Sequence, residues 1–198
     1  MRTTENIPII GLTGEAGVGK DFVANRISEH GFIIISASDI LREHITKAGL
    51  VTSRALQTEY ANKLRLEKGD DYFARSALER AIKIRNSEQG VLISGLYAPA
   101  EGIYIKSFKI SRLVEIVISK DDNPETRYSR ISMRSDGPRD SISYEEFKAS
   151  GLRENSGKNS GEANIGQLSQ LSDVQIINNG DLDYLDSQIE NLIGSLYV

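Results

Sequence analysis

Two rhythms of apolar residues alternate along this chain. The first is a set of short, continuous apolar runs: Ile7 to Thr13 (IPIIGLT), Phe32 to Ile35, Gly90 to Leu96 (GVLISGL), Leu113 to Ile118 and Val174 to Ile177. Runs of this length and composition read as strands covered on both faces. The second rhythm has helical spacing. Phe22, Val23 and Ile27 share one face of a stretch from Phe22 to Glu29, which Gly31 ends. Ile40, Leu41 and Ile45 follow, with Ser38 as the expected N-cap. Leu56, Tyr60 and Leu64 form a stripe on a helix closed by Gly69, and Phe73, Ala77 and Ala81 recur on one running from Asp70 to about Arg85. Ser143-Tyr144-Glu145-Glu146 is a capping box, and Leu182 to Leu196 is a closing amphipathic helix.

Strands alternating with helices specify a parallel α/β architecture. With no internal repeat and no linker, the 198 residues form one domain, 1–198. Ser150 to Asn164 (SGLRENSGKNSGEAN) is rich in Gly, Ser and Asn and reads as a mobile surface loop, serving either as a lid or as a plain connector.

Composition removes several function classes. There is no Cys, so neither a disulfide framework nor a thiolate metal site is available, and two His residues make a histidine metal cluster implausible. No apolar run approaches membrane-spanning length. The first residues, Met1 to Asn6, lack the apolar core of a signal peptide, so the expectation is a cytoplasmic protein without membrane partners. A net charge of −4 argues against nucleic-acid binding. An anionic ligand would need a local cationic site; the oligomeric state stays open.

That site has an obvious candidate. Gly14 to Asp21 (GEAGVGKD) follows the first strand, precedes the first helix and has the spacing G-x-x-x-x-G-K of a phosphate-binding loop. Gly14, Gly17 and Gly19 permit backbone angles that turn successive N–H groups inward. The backbone from Gly14 through Ala16, Gly17, Val18 and Gly19 to Phe22 is thus the candidate nucleotide-phosphate site. The helix start adds its positive dipole end, and Lys20 would reach the β- and γ-phosphates. The residue after the lysine is normally Ser or Thr, whose hydroxyl holds Mg²⁺; here it is Asp21. A carboxylate is also a hard-cation ligand, which makes Asp21 the candidate metal residue; alternatively it only favours the helix N-terminus. Further on, Arg127, Arg130, Arg134 and Arg139 form the densest cationic stretch. The first three share a helical face, either for phosphate or as a solvated, ion-paired surface.

Taken in order, GEAGVGKD, SASDILRE, LRLEKGDD, ETRYSRISMRSD and DVQIINNGDLDYL resemble the P-loop nucleoside monophosphate kinase group. The likeness is closest to archaeal-type adenylate-kinase-like and dephospho-coenzyme A kinase-like enzymes. The resemblance implies a three-layer P-loop NTPase sandwich with a five-stranded parallel sheet in the order 2-3-1-4-5. It also implies an acceptor-binding region at about 36–88 and a helical lid at about 127–160. It implies ATP and Mg²⁺ as cofactors and a small nucleotide substrate as partner. It gives Lys20, Arg130 and Arg134 catalytic roles and places Ser36, Asp39, Arg42 and Tyr97 at the acceptor, with Arg42 on the acceptor's phosphate. Arg42 could equally pair with Glu43 or Glu59. The loop Asn178-Asn179-Gly180 would lie against the adenine, with Asn179 in contact, or be a simple turn. Dephospho-coenzyme A kinases resemble Asp-Ala-Asp where this chain has Ser36-Ala37-Ser38, which favours the nucleotide acceptor. The third strand ends Ser94-Gly95-Leu96-Tyr97 where related kinases commonly have Asp-Gly-x-Arg. Either Asp21 supplies the acid missing at Ser94, or nothing compensates and the chain is a nucleotide-binding regulatory protein with little turnover.

Overall fold

The computed structural model describes residues 6–51, 53–119, 123–133 and 142–197. Its centre is a five-stranded, wholly parallel sheet of β1 (Ile9–Thr13), β2 (Phe32–Ser36), β3 (Gly90–Ser94), β4 (Ser111–Val117) and β5 (Val174–Ile177). The strand order is β2-β3-β1-β4-β5, the order implied by the resemblance. The first strand therefore lies in the middle, with Ile10 opposite Leu92 on one side and Arg112 on the other.

Strand alternation sends side chains to two cores. Ile9, Val91, Ile93 and Leu113 point to one face, where they meet Ala74, Ala77, Leu78 and Ile105. That face is covered by α2 (Ala37–Lys47), α3 (Arg54–Lys68), α4 (Tyr72–Ile84), α5 (Pro99–Lys106) and α8 (Ile165–Gln170). Ile10, Leu12, Leu92, Val114 and Ile116 point to the other, against Val23 and Ile27 of α1 (Lys20–Ser28) and Leu185, Ile189 and Leu192 of α9 (Leu182–Ser195). Continuous apolar runs are what a sheet covered on both sides requires. Two further helices, α6 (Pro124–Ser132) and α7 (Tyr144–Asn155), follow β4 at the carboxyl edge.

Several local expectations change. Ser36, rather than Ser38, caps α2, accepting a hydrogen bond from the Asp39 N–H at 3.3 Å. The helix starts two residues earlier because strand β2 delivers Ser36 in the extended conformation a cap requires. The capping box at Ser143 and Glu146 is present. The segment 150–164 is no loose loop. Ser150 is buried inside α7, Glu162 accepts from the N–H groups of Lys158 and Asn159, and the Ser160 hydroxyl donates to Asp70. Its Gly and Ser content serves a tight, hydrogen-bonded turn.

A buried ion pair ties α3 to the β3–α5 loop. Arg65 Nε donates to Glu101 Oε1 at 2.9 Å, with both side chains almost fully enclosed. Glu101 Oε2 accepts from the backbone N–H groups of Tyr97 and Ala98 at 2.7 and 3.0 Å. Removing one partner of such a pair leaves an uncompensated buried charge. Glu101→Ala is expected to lower the unfolding free energy by about 3–5 kcal/mol. A chemical denaturation midpoint close to wild type would show that the pair does not brace this loop.

Candidate active site

The phosphate loop joins β1 to α1 at the carboxyl edge of the sheet, where α/β proteins place ligands. Gly14, Gly17 and Gly19 have φ of 136°, 88° and 88°, in the region closed to most L-residues. Each is also met by a neighbour. A Cβ on Gly14 would lie 2.4 Å from the Ile116 carbonyl oxygen, and one on Gly17 would lie 2.4 Å from that of Arg127. On Gly19 it would lie 2.3 Å from Asn178 Nδ2. The loop is therefore wedged between β4, α6 and the segment after β5. Helix α1 opens at Gly19 with no side-chain cap, so its first amides have no competing side-chain acceptor.

Lys20 Nζ folds back over the loop, donating to the carbonyls of Gly14 and Glu15 at 2.7 and 2.9 Å, and stands 5.8 Å from the Tyr97 ring centre. Asp21 is exposed in the first turn of α1, and Phe22 beside it is half exposed. Val18 is buried in the loop and Ala16 half-buried. Among the described residues no group of three or more acids or histidines could by itself enclose a metal. Asp21 is the carboxylate that α1 offers beside the loop; a divalent ion there would take its remaining ligands from phosphate oxygens and water.

Two arginines of α6 face the loop. Arg127 is buried, donates to the Ala16 carbonyl at 3.2 Å and pairs with Glu15 at 2.7 Å. Arg130 Nη2 donates to the Asn178 carbonyl at 3.0 Å, and its Nη1 would lie 3.9 Å from a Cβ on Gly19. Arg134 and Arg139 lie outside the described residues. After β5, the residue against the loop is Asn178: its buried side chain donates to the Val18 carbonyl at 2.8 Å. Asn179, named from the resemblance, instead accepts from the Asp181 N–H at the start of α9.

On the other side of the loop, at the ends of β2 and β3, lies a cleft open to solvent. Its wall includes Ser38, Gln57, Asn62, Arg65, Tyr97 and Glu154. Of the residues expected at an acceptor, Tyr97 lines it. Ser36 caps α2, while Asp39 and Arg42 pair with each other and stand outside the lining. Arg42 thus takes neither Glu43 nor Glu59 as its salt-bridge partner; Glu43 pairs with Arg80. Gln57, Asn62 and Arg65 went unnoticed because the apolar stripe Leu56, Tyr60 and Leu64 dominates α3. The neighbouring stripe Thr58, Asn62 and Arg65 carries the signal: polar groups at helical spacing beside an apolar face, all three in the lining.

The wedge predicts a ranking among glycines. Gly31→Ala, at φ 85° with nothing within 4 Å, should cost only the conformational penalty, about 1–2 kcal/mol. Gly17→Ala adds a collision with the Arg127 backbone and should cost visibly more in thermal denaturation. Equal losses at the two sites would mean that α6 yields freely.

A family model described as an AAA domain matches residues 13–148. Among curated proteins, UPF0200 protein TK1334 of Thermococcus kodakarensis is 25% identical over 191 residues, covering 95% of this chain and 97% of its own. UPF0200 protein PF1294 of Pyrococcus furiosus is 29% identical over 192 residues, covering 96% and 97%. Among solved structures, TT1252 from Thermus thermophilus superposes with a TM-score of 0.60 at 18% identity, covering 96% of this chain and 98% of its own. A shikimate kinase from Acinetobacter baumannii, in complex with shikimate, gives 0.56 at 15%, covering 97% and 96%. At such identities the superpositions speak for the fold alone, which is that of the P-loop kinases. With the family match spanning the phosphate loop and both flanking regions, the chain belongs to the AAA domain family that this model describes.

Proposed function

We propose that the protein is an ATP-dependent phosphotransferase acting on a small phosphorylated acceptor, most simply a nucleoside monophosphate. The observation that carries this reading is one juxtaposition. A phosphate loop bearing Lys20 stands beside an open cleft, and Tyr97 belongs to both, lining the cleft with its ring 5.8 Å from Lys20 Nζ. A donor site and an acceptor site that share a wall are what in-line transfer needs.

In this reading an acceptor oxygen attacks the γ-phosphorus, the bond to the β,γ-bridging oxygen breaks, and ADP leaves. The protein contributes position and charge. The loop amides and the start of α1 receive the phosphates, and Lys20 exchanges its carbonyl partners for phosphate oxygens. Arg130, held at Asn178, lies where it meets charge developing on the transferred group. Arg134 is placed there by resemblance. Mg²⁺, bound with ATP beside Asp21, would neutralise phosphate charge.

A second reading has its own observation. The cavity's guanidinium, Arg65, is already paired with Glu101, and Arg42 is outside the lining. That arrangement suits an acceptor that offers a hydroxyl, with any phosphate elsewhere, as in a dephospho-coenzyme A kinase-like reaction. Ser94, buried where kinases commonly hold an acid, supports the slower alternative of a nucleotide-binding regulator. Measuring ADP release with AMP, CMP, UMP, GMP, their deoxy forms and dephospho-coenzyme A separates the three: multiple turnover identifies the acceptor, and ATP binding with none of it favours the regulator.

Two substitutions test the site. Lys20→Ala should reduce turnover by at least about a hundredfold with the fold intact; near-normal turnover would remove the loop from the mechanism. Asp21→Asn keeps shape and removes charge. It should raise the Mg²⁺ concentration needed for half-maximal turnover several-fold, roughly 1 kcal/mol or more of lost interaction. An unchanged Mg²⁺ titration would make Asp21 a helix-start residue only.

A further inference from the structure

Glu15 has both carboxylate oxygens engaged. Oε2 meets Arg127 Nη2 at 2.7 Å, and Oε1 accepts from Asn155 Nδ2 at 2.8 Å. Arg127 comes from α6 and Asn155 is the last residue of α7, so this one side chain of the phosphate loop touches both helices that follow β4. The guanidinium is enclosed, lies 5.5 Å from the Phe147 ring centre and also donates to the Ala16 carbonyl. Glu154, next to Asn155, lines the acceptor cavity.

A carboxylate inside a loop that receives anions is costly unless a cation neutralises it. Here the cation does more. In a trans peptide, C=O and the following N–H point in opposite directions. An Ala16 carbonyl drawn to Arg127 therefore turns the Gly17 N–H away from α6, toward the concave side of the loop. Close packing of Gly17 against the Arg127 backbone leaves little room for another arrangement.

We propose that Glu15 is a positioning residue. By holding Arg127 and Asn155 it sets the peptide between Ala16 and Gly17 for nucleotide, and it joins the loop to the helix whose end forms the acceptor wall. The inference rests on the reading of the loop as an ATP site. Glu15 itself touches no phosphate: both its oxygens are committed to α6 and α7.

The test is calorimetric titration with ATP·Mg²⁺, paired with melting temperatures, on wild type, Lys20→Ala, Glu15→Gln, Glu15→Gln with Arg127→Met, and Asn155→Ala. Glu15→Gln should weaken ATP·Mg²⁺ binding about tenfold or more and lower the melting temperature, because the buried Arg127 loses the Glu15 charge it is paired with. Adding Arg127→Met should restore the melting temperature while binding stays weak, which separates positioning from fold. Asn155→Ala should weaken binding about threefold with the melting temperature almost unmoved. The proposal is overturned if Glu15→Gln binds as wild type does while Lys20→Ala does not. It is also overturned if binding returns together with the melting temperature in the double variant. Wild-type binding by Lys20→Ala would remove the ATP reading itself, and this inference with it.

Discussion

A glycine-rich loop has few side chains with which to hold its own shape, and here the shape is imposed from outside. Three surfaces press on it: the β4 backbone at Gly14, the α6 backbone at Gly17 and the Asn178 amide at Gly19. Each approach is closer than a Cβ would allow. The glycines thus serve two requirements at once, the left-handed angles that point N–H groups inward and the absence of atoms where neighbours pack. The loop's rigidity belongs to the whole carboxyl edge of the sheet.

The same edge explains how the charges are distributed. The protein is acidic overall, yet Lys20, Arg127 and Arg130 gather around one loop. Backbone carbonyls are among their partners: Gly14 and Glu15 for Lys20, Ala16 for Arg127, Asn178 for Arg130. Carbonyls are modest acceptors compared with a phosphate oxygen, so Lys20 and Arg130 can be held in place and still exchange partners when a stronger one arrives. Arg127 differs because it has a carboxylate as well.

The parts of this arrangement that depend on local pattern were legible in the chain. The five apolar runs became the five strands, and the loop spacing located the glycine turn between β1 and α1. The strand order came from resemblance, since alternation alone leaves it open. What escaped were features decided by contact between distant segments. Asn178 and Asn179 are chemically identical neighbours; only the placement of β5 beside the loop turns the first toward Val18 and the second toward α9. Ser36 and Ser38 differ as caps only by where β2 stops. Helix α5, opened by Pro99, and the six-residue α8 are too short for periodicity to show. Arg127 and Arg130 sit three apart on one face, and nothing in their spacing says that one is buried against Glu15.

The central position of β1 has a consequence for synthesis. β1 and its loop leave the ribosome before their sheet neighbours β3 and β4, and the Asn178 amide that holds the end of the loop comes after β5. Until Asn178 has been made, the glycine loop lacks one of the three walls that shape it. The apolar β1 must therefore wait for partners far along the sequence. The loop written near the start of this sequence thus takes its final shape only when the segment after the last strand docks beside it.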